Sequence, residues 1–111
     1  MAGKFEIKSA SGGKFTFNLK AANNQVILSS QLYQAKSGAK NGIESVKKHA
    51  ADDSNFKRKE SKAGDPYFVL EASNGQVIGK SEMYSSKDAM ENGIRSVKTN
   101  APSAEVADLT E

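Results

Sequence analysis

The sequence predicts an α+β domain made of one structural unit used twice, and three observations carry that reading. Sliding the chain against itself by 51 residues aligns 4–50 with 55–101 without a gap, and 20 of the 47 aligned positions are identical. Each copy opens on residues that alternate with period two and closes on apolar residues spaced at helical period. At 111 residues, with 37% hydrophobic content, the chain fits one domain with a modest core. Residues 1–111 therefore read as a single domain with repeat one at 3–51, repeat two at 54–101 and a tail at 102–111. Solenoids and propellers need three or more units. Two units suggest a pseudo-twofold pair.

In the first unit Phe5 and Ile7 alternate with Glu6 and Lys8, and Phe15, Phe17 and Leu19 alternate with Thr16, Asn18 and Lys20. Both patterns are strands. Ser11-Gly12-Gly13 supplies the tight connection between them. Asn23-Asn24, matched by Asn74-Gly75, tolerates positive φ and predicts a two-residue type I′ hairpin into a third strand, Gln25 to Ser29. That register places Phe15, Phe17, Leu19, Ala21, Val26 and Leu28 on one face, with Lys20 and Ile27 on the other. In the second unit the buried set is Phe56, Phe68, Leu70, Ala72 and Val77. Pro66 replaces Phe15 at a strand start, where a missing N–H is tolerated.

The helices begin near Lys36 and Lys87, and Ser85-Ser86-Lys87-Asp88 is the better signed start, with hydroxyls for a cap and an acid in the first turn. Ala39, Ile43, Val46 and Ala50 share one helix face, as do Met90, Ile94, Val97 and Ala101. Pro102 stops the second helix. The tail, with Val106 and Leu109 among small and acidic residues, reads as a short edge strand.

The longest repeated stretch is Asn41-Gly42-Ile43-Glu44-Ser45-Val46-Lys47, rewritten as Asn92-Gly93-Ile94-Arg95-Ser96-Val97-Lys98. Glycine inside a helix costs about 1 kcal/mol relative to alanine, so writing it twice demands a cause. Gly38, Gly42, Ser45 and His49 line a stripe of mostly small side chains beside the apolar face, and Ala89, Gly93, Ser96 and Asn100 line its twin. The expectation is that the two helices approach each other closely near Gly42 and Gly93. Asn41 and Asn92 point away from both the sheet and this stripe, and packing does not explain them.

Composition excludes several chemistries. There is no cysteine, so disulfides, thiolate metal sites and cysteine nucleophiles are absent, which fits a reducing cytoplasm. The first residues lack the apolar core of a signal peptide, and no stretch approaches the ~20 apolar residues of a membrane span. His49 is the single histidine and its counterpart is Asn100, so a role common to both units does not need an imidazole. Asp52-Asp53 reads as a solvent-facing linker, and no nucleotide-binding, paired-histidine or nucleophile-elbow motif occurs. The expectation is no enzyme, no cofactor and no metal.

The combination of tandem units of about fifty residues resembles the YegP-like family of small bacterial proteins. It rests on the aromatic strand pairs, the Asn-Gly-like hairpins, Gln-Val-Ile, the Ser-x-x-Tyr segments ending at Tyr33 and Tyr84, and Asn-Gly-Ile-x-Ser-Val-Lys. The resemblance spans roughly residues 3–110. It implies two β-β-β-α-β units sharing one antiparallel sheet, two helices on one face, and last strands exchanged, with Ala104 to Leu109 as the exchanged strand. The family carries no assigned activity or ligand residues.

What remains for function is the sheet face away from the helices. It is expected to carry Lys20 and Ile27 from unit one, with Lys57, Lys59, Tyr67, Val69 and Ile78 from unit two. The body of the chain, residues 1–101, holds 16 bases against 10 acids. Apolar residues on an open face favour contact with a protein partner or self-association. Lysines around Tyr67 allow single-stranded nucleic acid as the alternative, less favoured because arginine is scarce and Tyr67 stands alone. A monomer with an internal pseudo-dimer is expected.

Overall fold

The computed structural model describes residues 3–22 and 24–110; Asn23, part of the expected first hairpin turn, lies outside them, as does Glu111. The elements run β1 (Lys4–Ala10), β2 (Lys14–Lys20), β3 (Val26–Ser29), α1 (Lys36–His49), β4 (Phe56–Glu60), β5 (Pro66–Glu71), β6 (Val77–Lys80), α2 (Lys87–Asn100) and β7 (Glu105–Asp108). All seven strands form one sheet in the order β4-β5-β6-β3-β2-β1-β7. The two three-stranded units meet at β3 and β6, joined antiparallel at Ser29 and Lys80.

The sheet is mixed, which corrects the all-antiparallel expectation. β7 pairs with β1 in parallel, Lys4 opposite Glu105 and Phe5 opposite Val106. Hairpins force neighbouring strands to reverse, whereas a strand reached through a helix can run parallel. Pro102 sits in a short helical turn, Ala101–Ser103, that ends α2 and releases the chain towards the free edge of β1. The tail is thus an edge strand, as its pattern predicts.

The hairpins differ from the expected type in a way that reorients their side chains. In unit two, Gly75 N–H donates to Ala72 O and Ala72 N–H donates to Gln76 O, both at 2.9 Å, closing the three-residue connection Ser73-Asn74-Gly75. Asn24 and Ala21 make the same bonds in unit one, and Asn24 and Gly75 take φ of 72° and 82°. Three-residue connections of this kind end on a left-handed residue, which is why Asn and Gly occupy the site. Beyond the turn Lys20 pairs with Val26 but Leu19 pairs with Leu28, so Ile27 is an extra residue; Ile78 is its counterpart between Glu71–Val77 and Leu70–Gly79. A bulge turns two successive residues to the same side. Ile27 and Ile78, each 6% exposed, therefore join the core, while Val26 and Val77 leave it.

Both helices pack on one side of the sheet. α1 buries Ala39, Ile43 and Val46, and α2 buries Met90, Ile94 and Val97, on the faces that the apolar spacing specifies, with Gly42 and Gly93 of the small-residue stripes buried beside them. Ser86 caps α2, its hydroxyl accepting from Ala89 N–H at 3.1 Å, whereas Ala35 gives α1 no side-chain cap. At residue 28 the units part company. Leu28 is fully buried, and its counterpart is Gly79, where a Cβ would stand 2.7 Å from two carbons of the Leu28 side chain. One leucine fills the space that two would contest.

Candidate functional site

The repeated helix motif is architecture, and its partner is a tyrosine. Ser30 Oγ accepts from Phe17 N–H, and Ser81 Oγ from Phe68 N–H, both at 2.9 Å, which anchors each Ser-x-x-Tyr segment to the sheet. Tyr33 and Phe15 then exchange two backbone bonds of 2.7 Å; Pro66, lacking the N–H, keeps only the bond that Tyr84 N–H donates to its carbonyl. Each tyrosine ring stacks on a core phenylalanine, Tyr33 on Phe17 at 6.1 Å and Tyr84 on Phe68 at 6.2 Å between centroids. Their hydroxyls reach the helix glycines. A Cβ at Gly42 would overlap the Tyr33 hydroxyl and lie 2.8 Å from Phe17 Cε2, and one at Gly93 would overlap the Tyr84 hydroxyl. The expected close approach of helix to helix is thus replaced by helix against tyrosine. Burial raises the pKa of both phenols, for Tyr84 with help from Glu82.

The other motif positions have equally local roles. Ile43, Val46, Ile94 and Val97 are in the core. Ser45 and Ser96 meet the residue four positions on: His49 Nδ1 lies 2.8 Å from Ser45 O, and Asn100 Nδ2 donates to Ser96 O at 2.8 Å. Ser73 N–H donates to His49 Nε2 at 3.2 Å, so the ring proton is on Nδ1. Asn100, 7% exposed, accepts from Gly3 N–H at 2.9 Å. Histidine and asparagine thus do the same job, each fastening a helix end to a neighbouring segment. Asn92 accepts from Arg95 Nη2 at 2.5 Å, while Asn41 is exposed and borders a cavity of about 320 Å³ beside Val106.

On the face away from the helices the two units diverge. Unit one centres on Glu6, 5% exposed, with Lys20, Lys4 and Lys8 ammonium groups 3.0, 3.4 and 3.8 Å from its carboxylate. The Lys20 hydrogen bond does most to hold the Glu6 pKa below its ordinary 4.5, against a desolvation cost that pushes the other way. In unit two the residue at that position is Lys57. There Lys57 and Lys80 flank Val69 across the ladder, Lys59 stands opposite Tyr67, and Lys80 Nζ lies 5.1 Å above the Tyr67 ring. Val69 is only 5% exposed, covered by these long neighbours, a common use of lysine stems.

Comparison with known proteins agrees with the repeat. The domain of unknown function DUF1508 matches twice, at residues 10–56 and 61–108. A UPF0339 protein of Mannheimia succiniciproducens is 53% identical over 108 residues, covering 97% of this chain and 96% of its own length, and the UPF0339 protein YegP of Yersinia pestis is 49% identical over 108 residues, covering 97% and 96%. This chain belongs to the UPF0339 family. Two solution structures share its fold: a UPF0339 protein of Shewanella oneidensis, with TM-score 0.93 and 46% identity over 99% of this chain and 93% of that one, and YegP of Escherichia coli, described as a protein of unknown function, with TM-score 0.94 and 43% identity over 99% and 95%.

For this UPF0339 chain, Lys20, Lys57, Lys59, Tyr67 and Val69 do share the open face, but Ile27 and Ile78 do not, because the bulges turn them inward. The face is more basic and less apolar than the sequence pattern suggests. Lys20 is engaged by Glu6. Sequence reasoning missed Tyr33 and Tyr84 as the groups that need the glycines, though the nine-residue spacing recurs in both units. It also missed Lys80, which the bulge brings beside Tyr67. Among the described residues no three His, Cys, Asp or Glu side chains gather as a metal site, and no helix is long and apolar enough to cross a membrane.

Proposed function

We propose that the protein is a non-catalytic binding module, a monomeric pseudo-dimer in one chain, whose open sheet face on the unit-two side takes an acidic surface of a protein partner. The repeat and the strand order support the pseudo-twofold arrangement, with β7 passing from unit two to the outer edge of unit one as the exchanged last strand. The observation that carries the binding reading is the exposed cluster of Lys57, Lys59 and Lys80 around Tyr67 and Val69, which among the described residues forms no ion pair of the kind Glu6 makes in unit one. Val77, 39% exposed, adds an apolar contact at its margin. Exposed lysines beside apolar residues complement an acidic protein surface.

Nucleic acid is less well supported. The face presents one aromatic, already capped by Lys80, and the chain's two arginines are elsewhere, Arg58 bonded to Glu91 of α2 and Arg95 on α2. An NMR titration decides between them, using polyglutamate and oligo-deoxythymidine as separate probes. Amide shifts confined to β4, β5 and β6 with polyglutamate, abolished in a Lys57→Glu, Lys80→Glu double variant, are the expected result. Equal or stronger shifts with the oligonucleotide, falling steeply with salt, would transfer the site to nucleic acid. No shift with either probe would remove the binding reading.

A further inference from the structure

The two outer edges of the sheet are built alike but occupied differently. β1 is covered by β7, while β4, its counterpart in unit two, ends the sheet with no further strand beside it among the described residues. We infer that the free edge of β4 is a strand-acceptor site that takes an extended acidic segment of a protein partner, running parallel to β4 as β7 runs along β1. The site is the rim of the sheet and stands or falls separately from the open face.

The occupied edge shows what such a segment needs. On β1, Val106 lies opposite Phe5 on the helix side, bordering a cavity with Ile43 of α1. Asp108 lies opposite Ile7 and pairs with Lys36 Nζ at 3.0 Å, and Leu109 N–H donates to Ile7 O at 2.8 Å. An aliphatic residue followed two positions later by an acid therefore fits this geometry. Unit two repeats the receiving groups at the period of 51: Phe56 for Phe5, Ile94 for Ile43, Lys87 for Lys36. A cavity of about 370 Å³, lined by Arg58, Lys59, Lys87 and Met90 together with Glu60 and Glu91, lies beside β4 at this place.

Charge selects the occupant. Where β1 has Ile7, β4 has Arg58, so the acid position of an added strand would face Arg58 and Lys87 together. Lys57 and Lys59 flank it on the opposite side of the sheet. The carboxylates nearby are mostly committed: Glu91 holds Arg58 by bonds of 2.7 and 2.9 Å, and Asp53 is shared between Arg58 at 3.2 Å and Lys98 at 2.8 Å, leaving Glu60 at the end of the strand. Arg58 Nη1 rests 3.5 Å from the Phe56 carbonyl, a long contact that an incoming N–H can replace. Charged residues on an edge discourage pairing with like edges, and here the same lysines and arginine admit an acidic one.

A synthetic peptide of residues 103–111, Ser-Ala-Glu-Val-Ala-Asp-Leu-Thr-Glu, is the probe, added to the full chain labelled with nitrogen-15. The expected result is saturable shifts of the β4 amides and of Lys87, with protection of the outward β4 amides from hydrogen exchange. Changing the peptide's valine and aspartate to lysine, or Lys87→Glu in the protein, should weaken binding by tenfold or more. Lys87 is exposed and, among the described residues, enters no ion pair, so its variant tests the site without unfolding the protein. Shifts confined to β1 and Lys36 would mean that the peptide only displaces β7, and would overturn the inference. Equal binding by polyglutamate would reduce the site to charge attraction, and no shift at millimolar peptide would remove it.

Discussion

Units one and two share 20 of 47 aligned residues, yet they solve some of the same packing problems with different partners, most visibly at their join and on the open sheet face. At the join, one unit contributes Leu28 and the other Gly79. On the open face, unit one neutralises a buried glutamate with three lysines, while unit two puts a lysine in the glutamate's place. Inside each unit, by contrast, tyrosine, glycine and phenylalanine meet in nearly the same geometry twice, with stacking distances of 6.1 and 6.2 Å. Contacts within a unit are held in duplicate, and contacts where the units join are free to become one-sided, because two bulky groups cannot occupy one space.

The largest test of this contrast is at the join. Leu28→Ala should cost about 2–5 kcal/mol in chemical denaturation, the range for an emptied leucine site. Gly79→Leu alone should also destabilise, whereas Leu28→Gly with Gly79→Leu should recover much of the loss by moving the leucine across. Additive losses in the double variant would show that the two positions do not share space.

Next come the helix glycines. Gly42→Ala should cost about 1–3 kcal/mol from overpacking, although alanine is the better helix former by about 1 kcal/mol. Gly93→Ala should cost less, because only Tyr84 closes within 3.0 Å of its Cβ, with Phe68 at 3.3 Å, whereas both Tyr33 and Phe17 do so at Gly42. A Tyr33→Ala background should reduce the Gly42→Ala penalty. Equal penalties in both backgrounds would break the pairing of tyrosine with glycine.

The Glu6 cluster predicts a pH dependence on the open face for which unit two, with Lys57 in place of Glu6, has no counterpart at that position. Because the folded-state pKa of Glu6 is lowered, its carboxylate stabilises the fold above its ordinary value of 4.5, and that contribution is lost as pH falls through the lower folded value. Glu6→Gln should be less stable than the parent by about 1–2 kcal/mol at pH 7, and the gap should close towards pH 3. A gap that stays constant with pH would show that packing, not charge, is responsible. The smallest contrast is at the helix starts. Ser86→Ala should lose about 1 kcal/mol and Ala35→Ser should gain up to a similar amount, read from melting curves.

Much of this was legible in the residues, and the failures have specific physical causes. Period-two runs placed the strands, helical spacing placed the buried faces, and the repeated glycine announced a close contact. The identity of that contact was not legible, because a small residue says only that something approaches, and the tyrosine arrives from a separate segment pinned to the sheet. Ile27 and Ile78 were assigned to the wrong face because one extra residue in a strand inverts every side chain before it. The three-residue turn that creates the offset sets Ala21 and Ala72, in place of Ala22 and Ser73, against Gln25 and Gln76. The open-face site lost Ile27 and Ile78 and gained Lys80 for the same reason.

The parallel pairing of β1 with β7 also has a consequence for the newborn chain. Lys4 finds its outer neighbour at Glu105, and Gly3 is fastened by Asn100, so β1 must wait for translation to pass residue 105 before that side is covered. At roughly 5–20 residues per second the wait lasts on the order of 5–20 s, ample time for a β1–β2–β3 sheet to form with its rim uncovered. A ribosome-stalled chain ending before residue 105 should therefore exchange its outward β1 amides faster than the released protein. Completion of the sheet is in effect a signal that synthesis has passed its final strand.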